Sequence, residues 1–321
     1  MLTGMPVPPN LDPPRHNWFL LLLRGYRFPT GMLWSMLTLG SFSALLCFLQ
    51  FRQETFTIKI PLTLHGIFGF VVSLLLVFRT NSAYERWWEG RKQLGTLNDG
   101  CRYLANRLRS YARLDRDQCH TLASWLCAYV WSVKEHLRGP DYEFSSTLVP
   151  LEHRARYARS LHKPLFLLNR LADFVTDVHA QGKLSEGQLR AVDDAMKAVT
   201  DVLGGTERIK TTPIPMAYTL HLRRIIMVYV ATLPFGLIYD YNWWSVPIVM
   251  VVFYVMAGIE FIGEEIEEPF GRDENDLPVS QIAARISAGV AAVLEVPNPS
   301  EGHASLASGA LRLSDFVPAG E

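Results

Sequence analysis

Four long runs without a charged residue dominate the hydropathy pattern of this chain. They are 24, 19, 15 and 19 residues long and cover Phe28–Phe51, Ile60–Phe78, Ile225–Tyr239 and Tyr241–Ile259. A helix needs roughly 20 apolar residues to cross a bilayer, so three of the runs are long enough as they stand. The 15-residue run reaches that length by extending back to Thr219, which leaves Arg223 and Arg224 to snorkel or to face protein or water. The pattern predicts four transmembrane helices, and the alternative is a soluble protein with four unusually apolar core helices.

The charged region between the second and third runs has the periodicity of packed helices. Apolar residues recur at alternating steps of three and four, which places them on one helix face: Leu94, Leu97, Cys101, Leu104 and Leu108. Ser185 followed by Gln188 predicts a capped helix start, with the helix running to about Leu203. Turns are predicted at Gly139–Pro140, Gly182 and Gly204–Gly205.

The second run continues into the charged region without a proline. The stretch FGFVVSLLLVFRTNSAYERWWEGR therefore predicts one helix that leaves the bilayer at Arg79. The expected fold is an all-α membrane protein with four transmembrane helices per subunit continuing into a cytosolic helical bundle. The expected segments are an N-terminal cytosolic or interfacial part (1–27), transmembrane helices 1 and 2 (28–78) and a cytosolic helical region (79–218). They are followed by transmembrane helices 3 and 4 (219–262) and a cytosolic C-terminal part with a mobile tail (263–321).

Composition excludes some classes of partner. The chain has 31 Lys or Arg and 31 Asp or Glu, and this zero net charge does not indicate a nucleic-acid partner. Its four cysteines have no CxxC spacing, and two of them lie in strongly apolar surroundings, which favours buried free thiols.

Positive charge sets the expected orientation in the membrane. Residues 79–224 carry 23 Lys or Arg and three arginines precede the first run, whereas the connectors 52–59 and 240–242 are poor in cations. We expect both termini in the cytoplasm of a multi-pass plasma-membrane or inner-membrane protein. The stretch WFLLLLRGYRF has no cleavage site and is typical of an interfacial helix rather than a signal peptide.

A bulky apolar stripe marks the second run. Phe70, Leu74 and Phe78 recur every four residues, and small residues that allow close helix packing lie beside them at Gly66, Gly69 and Ser73. The stripe has two interpretations, because it can face lipid or a neighbouring helix, or line an axis between several copies of the chain. Stacked apolar rings around such an axis form a constriction that gates by dewetting.

Three longer motifs carry a resemblance to a known family. FRTNSAYERWWEGR, TPIPMAYTLHLRR and PFGRDENDLP start at Phe78, Thr212 and Pro269, and with the order of the four runs they resemble the bacterial branch of the bestrophin channels over about residues 15 to 285. The resemblance implies a homopentamer around one pore, with an apolar neck in the membrane and a second narrowing at the cytosolic end. Bacterial members end the neck at the phenylalanine before the arginine of the first motif, so the neck residues implied here are Phe70, Leu74 and Phe78.

Two other family features transfer less directly. The second narrowing is an isoleucine in bacterial relatives, and the matching position in GKLSEGQL is Gly187, which implies a wider exit unless Gln188 or Leu189 narrows it. The acidic stretch after Arg272 falls where animal members bind calcium, and Asp273 and Asp276 resemble ligand positions. Because Asn275 interrupts the acidic run, the alternative to a calcium site is a solvated acidic turn. Apart from this calcium candidate, no metal or cofactor is expected.

The remaining polar candidates do not form a catalytic site. His65, alone in the second run, is expected to hydrogen-bond a neighbour rather than bind metal. Glu260 begins an acidic stripe and is expected to pair with Arg223 or Arg224. Since nothing offers a nucleophile, a histidine partner or a phosphate loop, the chain is not expected to be an enzyme.

The sequence therefore predicts a passive bestrophin-type ion channel without active-transport machinery. We expect a homopentamer in a lipid bilayer that conducts chloride and other monovalent anions. Two alternatives stay open: a monovalent-cation channel of the same architecture, and a membrane-anchored helical scaffold without conductance.

Overall fold

A computed structural model describes residues 30–52, 59–139 and 144–300, and these residues are helical with no strand among them. The predicted all-α class is confirmed. The α-helices, labelled α1 to α11 in chain order, are Thr30–Arg52, Leu62–Ala112, Arg116–Arg138, Phe144–Leu148, Leu151–Arg159, Lys163–Ala180, Glu186–Thr211, Met216–Thr232, Pro234–Tyr241, Ser245–Glu267 and Val279–Leu294.

Three stretches are long and apolar enough to cross a membrane. They are α1, α2 and the stretch Met216–Glu267, which contains α8, α9 and α10. A short 3-10 helix, Asn242–Trp244, interrupts the third stretch. The predicted backward extension is confirmed, because α8 begins at Met216, before Thr219.

The expected continuity of the second run is also confirmed. Helix α2 has 51 residues, from Leu62 to Ala112, and passes through Arg79 without a break. At 1.5 Å per residue it is about 76 Å long, more than twice the roughly 30 Å of a bilayer core. A helix of this length joins the apolar and the charged parts of the chain.

The chain divides into two compact units. The first contains Met1–Phe70 and Ile226–Gly258. Its core includes Leu46, Cys47 and Ile238, and the Cys47 Sγ lies 3.1 Å from the Ser245 Oγ. Gly40 allows close packing of α1, because a Cβ there would lie 2.8 Å from the Met250 Sδ.

The second unit contains Val71–Ile225 and Ile259–Glu321, and its described residues form a larger core. Every member of the predicted stripe from Leu94 to Leu108 is buried, and α3 packs at the centre with α6 and α11. The four cysteines of the chain are free and buried, as expected. The Tyr129 hydroxyl donates to the Val199 carbonyl at 3.0 Å and links α3 to α7.

Local signals set most of the helix ends. Ser185 caps α7 in the predicted capping box, with its side chain accepting from the Gln188 N–H. Gly139 and Gly182 have φ of 79° and 70°, a left-handed region that glycine adopts without a Cβ penalty, and both follow helix ends as predicted.

The predicted turn at Gly204–Gly205 is wrong, and so is the expected helix end near Leu203. Helix α7 continues through both glycines to Thr211. Gly205 is buried, and a Cβ there would lie 2.7 Å from the side-chain amide of Gln93. The small residue therefore serves close packing of α7 on α2 and does not end the helix.

Some sequence predictions concern residues outside the described ranges. They are the interfacial segment within 1–27, most of the connector 52–59, Pro140, and the tail after Ser300.

Candidate functional site

The apolar stripe of α2 lies on a face that the described residues leave largely exposed. Phe70, Leu74 and Phe78 are 71%, 44% and 55% exposed. The opposite face of the same helix is packed, and its buried members are His65, Val72, Leu76, Arg79 and Ala83. Since successive residues are rotated by about 100°, this division gives α2 one packed face and one free apolar face.

The small residues beside the stripe differ in their surroundings. A Cβ on Gly69 would lie 2.7 Å from the Tyr229 hydroxyl, so this glycine does allow the close approach expected of it. A Cβ on Gly66 would meet nothing within 4 Å, and Ser73 is exposed. Of the two glycines, Gly69 is therefore the one that allows close packing within the described part of the subunit.

A buried cation follows the stripe directly. Arg79 is fully buried and forms an ion pair with Glu267 of α10. The other carboxylate oxygen of Glu267 accepts from the Ile214 N–H at 2.8 Å. Arg86, two turns further along α2, donates to the Glu267 carbonyl at 3.1 Å. These contacts fix the chain at the point where α2 changes from apolar to charged. The Arg79–Glu267 pair was not predicted from the sequence.

The predicted ion pair at Glu260 is confirmed, with Arg223 as its partner. The Arg223 Nε lies 2.8 Å from a Glu260 carboxylate oxygen, and its Nη2 lies 2.5 Å from Glu264. Arg224 is exposed. Three of the acidic residues of α10 are thus neutralised by arginine within the subunit: Glu260, Glu264 and Glu267.

The acidic stretch forms an ordered turn. One Asp276 oxygen accepts from the Asp273 N–H at 2.6 Å, and the Asn275 amide donates to Glu265 at 2.6 Å. The Trp87 indole donates to the Asn275 carbonyl at 3.0 Å. Partial burial of Asp276 raises the pKa of its carboxyl to about 6. The turn brings Asp273 and Asp276 together, but one Asp276 oxygen is already used by the backbone.

The position expected at the cytosolic narrowing is open. Gly187 lies in the first turn of α7, is exposed, and a Cβ there would meet nothing within 4 Å. The two alternative narrowing residues are engaged elsewhere, because the Gln188 side chain accepts from the Ser185 N–H at 2.9 Å and Leu189 packs against the core.

His65 has an apolar environment. Its ring is 5% exposed and lies 6.0 Å from that of Tyr229, in a tilted arrangement. Among the described residues it shares no cluster of metal-ligating side chains. The cluster that does exist, at His136, His162 and Glu207, was missed because its members are far apart in sequence and match no motif.

The helices and their membrane-length apolar stretches define an all-helical integral membrane protein. A family model described as bacterial/fungal bestrophin protein matches residues 12–292. The chain belongs to the bestrophin family.

Relatives with descriptive names and solved structures support the assignment to this family. A Nostoc protein named voltage-dependent anion channel-forming protein is 36% identical over 239 residues, covering 71% of this chain and 77% of the relative. An Escherichia coli K12 protein with the same description is 30% identical, covering 71% and 75%. A crystal structure of a bacterial bestrophin homolog from Klebsiella pneumoniae matches with a TM-score of 0.79 and 26% identity, over 83% of this chain and 99% of that one.

Proposed function

We propose that this protein is a passive, homopentameric ion channel in which α2 lines the central pore. The observation that carries the proposal is the free apolar face of α2, with Phe70, Leu74 and Phe78 stacked at four-residue spacing. A subunit that packs one side of a membrane helix and leaves the other free is suited to assembly around an axis. Five such stripes would form a neck that conducts only when it is wide enough to stay hydrated.

Helix lengths support four membrane spans in each subunit. Helices α8 and α9 together, and α10 alone, are each long enough to cross a bilayer, and Asn242–Trp244 lies between them. With α1 and the first half of α2, this arrangement returns the chain to the side on which it started. The cation-rich region from 79 to 224 then lies in the cytoplasm together with both termini, in the plasma or inner membrane.

Anions are the proposed permeating ions, chloride among them. Relatives with up to 36% identity are named as anion channel-forming proteins. An apolar neck does not select the sign of charge, so nearby charges must do so. Cation conduction is the alternative, and acidic residues of α10 would suit it if they faced the pore, but Arg223 and Arg79 pair with three of them: Glu260, Glu264 and Glu267. We propose no enzymatic activity.

The proposal is tested by measuring oligomeric state and conductance on one preparation. Native mass spectrometry of the detergent-solubilised protein should give five subunits, and the same sample should give single-channel currents in a planar bilayer. A pentamer without current would favour the scaffold alternative, and a stable monomer with current would overturn the pore arrangement.

Cysteine scanning then tests the register of α2. Cysteines at positions 70, 74 and 78 should react with pore-entering thiol reagents and block current, because the native thiols are buried and give little background. Phe68→Cys is the matched control, since Phe68 is 54% exposed but lies about 120° around the helix from Leu74. Equal block at position 68, or none at the other three, would refute the register.

A further inference from the structure

Two histidines and a glutamate from three separate regions converge in the second unit. His136 lies in the last turn of α3, His162 caps the start of α6, and Glu207 lies in the second half of α7. One oxygen of Glu207 lies 2.8 Å from the His136 Nε2 and 2.7 Å from the His162 Nε2. The two rings are tilted, with centroids 4.8 Å apart.

The hydrogen bonds define the protonation of one ring. The His162 Nδ1 accepts from the Leu165 N–H at 3.2 Å, so the neutral ring carries its proton on Nε2 and donates it to Glu207. A single carboxylate oxygen thus lies against both ring nitrogens. These three atoms, all within 4.8 Å of one another, are those that the side chains would present to a metal.

The surroundings leave room for further ligands. The side chains of His136, His162 and Glu207 are each about one-third exposed, at 34%, 36% and 31%. A cavity of about 380 Å³ opens beside His136 and is lined in part by Glu135, Lys163 and Lys210. Water can reach the cluster through it and complete a coordination shell.

We propose that His136, His162 and Glu207 form a binding site for a divalent transition metal, with zinc the best match. Two imidazole nitrogens and one carboxylate, with water in the fourth position, are an established tetrahedral zinc ligand set. Ligands from α3, α6 and α7 would join three helices of the second unit. The site is independent of ion conduction, and it would stabilise the folded unit because the metal binds that state preferentially.

Two features of the cluster limit the affinity. Binding through the His162 Nε2 moves the ring proton to Nδ1, which then faces the Leu165 N–H and breaks the cap of α6. The Lys210 ammonium donates to the His136 carbonyl at 2.7 Å, and its charge opposes a nearby cation. The site is therefore expected to bind zinc reversibly and to be emptied by chelators.

The test uses the full-length protein in detergent, stripped with a chelator and titrated with buffered zinc by calorimetry. One zinc per subunit is expected, with an increase in the thermal unfolding midpoint. His136→Ala, His162→Ala and Glu207→Gln should each weaken zinc binding at least about tenfold. Loss of a residue that only hydrogen-bonds to a metal ligand typically weakens binding by about that factor, so loss of a ligand itself should weaken it by at least as much. Glu207→Gln keeps an oxygen that can accept the same hydrogen bonds, so it separates metal binding from the existing contacts.

His153→Ala is the matched control, because the His153 Nε2 lies 3.3 Å from a Glu152 oxygen but belongs to no three-ligand cluster among the described residues. It should bind zinc like the unmodified chain. Cobalt in place of zinc should give the strong visible absorption of a four-coordinate site in the unmodified protein, and the three ligand variants should weaken that absorption. The proposal would be overturned if neither zinc nor cobalt bound up to millimolar concentration, or if all variants bound the metal equally. Either result would mean that the three side chains form only a hydrogen-bonded cluster.

Discussion

Arginines at the ends of the apolar helices have acidic partners on α10, and the two pairs differ in burial. The Arg79 side chain is fully buried, whereas the Arg223 side chain is 39% exposed and its partner Glu260 only 10%. Because a buried carboxylate without a cation is costly, the value of Arg223 lies mainly in compensating Glu260. Its own exposure reduces that value through solvent screening.

Replacing Arg223 by alanine is expected to destabilise the protein by about 1 to 3 kcal/mol, because Glu260 stays buried without its partner. Thermal unfolding in detergent, followed by tryptophan fluorescence, measures the change. Arg224→Ala is the control, since Arg224 is the exposed neighbour on the same helix. Equal destabilisation by both substitutions would mean that general surface charge, and not the Glu260 pair, is responsible.

Asp276 gives a pH-dependent prediction. Burial raises its pKa from the ordinary 3.8 to about 6, against the opposing effects of the hydrogen bond from the Asp273 N–H and of the Arg138 charge, while the charges of Asp273 and Glu265 add to the rise. The folded state therefore holds this proton more tightly than the unfolded state, so stability should fall as pH rises from about 4 to about 6 and then level off. Solvent screening of the partly exposed group reduces the effect to about 1 kcal/mol.

Asp276→Asn should remove this component, so the variant gains stability relative to the unmodified chain across the same pH window. Unfolding midpoints measured with a chelator at several pH values test it, with the exposed neighbour substitution Glu274→Gln as control. A constant difference at all pH values would contradict the assignment. Repeating the scan with calcium at pH 7.5 tests the calcium hypothesis, which requires a midpoint increase that Asp276→Asn abolishes.

Gly187 tests the proposed wide exit. In the proposed pentamer, Gly187→Ile is expected to lower single-channel conductance, because it would place five bulky side chains at the expected cytosolic narrowing. Stability should change by no more than about 0.5 kcal/mol, since the new side chain meets no atom within 4 Å of its Cβ position. Gly187→Ala is the small-side-chain control, and equal conductance in both variants would place the exit elsewhere.

Helix α2 runs from the proposed neck residues into the charged part of the chain as one uninterrupted element. Its face toward the rest of the chain is fixed by buried contacts, so alanine substitutions on its free face should leave the subunit folded. Leu74→Ala and Phe78→Ala are therefore expected to widen and wet the neck, and to raise open probability in bilayer recordings. Phe78→Ala should have the larger effect, because it removes more apolar volume from each subunit.

Phe68→Ala is the control on the same helix, about 120° around the helix from Leu74 and about 80° from Phe78. It should leave open probability unchanged, and size-exclusion profiles should match for all three variants. Unchanged currents in both stripe variants, with normal assembly, would move the barrier away from the neck.

Periodic signals predicted the helices well, and pairwise packing explains what they missed. The stripe from Leu94 to Leu108 is buried because one face of a helix meets the core, and that regularity is visible in the sequence. The glycine pair at 204–205 had two meanings, a turn or a close approach, and only the position of Gln93 decides between them.

The candidate sites divide in the same way. The pairing of Glu260 with a nearby arginine could be predicted. The four-residue spacing of Phe70, Leu74 and Phe78 is visible in the sequence, and their role as a pore neck stays a prediction. Contacts between distant residues could not, because Arg79 and Glu267 are 188 positions apart and leave no periodic trace. The His136, His162 and Glu207 cluster was missed for this reason too.

Charge across the subunit bears on ion selectivity. The chain has zero formal net charge, so there is no general bias toward either ion sign. Three acidic residues of α10, Glu260, Glu264 and Glu267, are paired with arginines, which reduces their attraction for cations. The remaining expectation comes from the anion channel-forming relatives and from the neck, which penalises strongly hydrated ions.

Reversal potentials under a salt gradient are therefore expected to lie close to the equilibrium potential of the anion. Replacing chloride on one side by larger, more weakly hydrated anions should increase permeability, because less hydration is lost in an apolar neck. Glu268→Gln serves as a charge control, since it removes one exposed carboxylate from the acidic stripe and should not change the sign of selectivity. A reversal potential near the equilibrium potential of the cation would refute anion selectivity without contradicting the proposed pentameric pore. Cation selectivity would then have to come from a surface other than the arginine-paired acidic residues of α10.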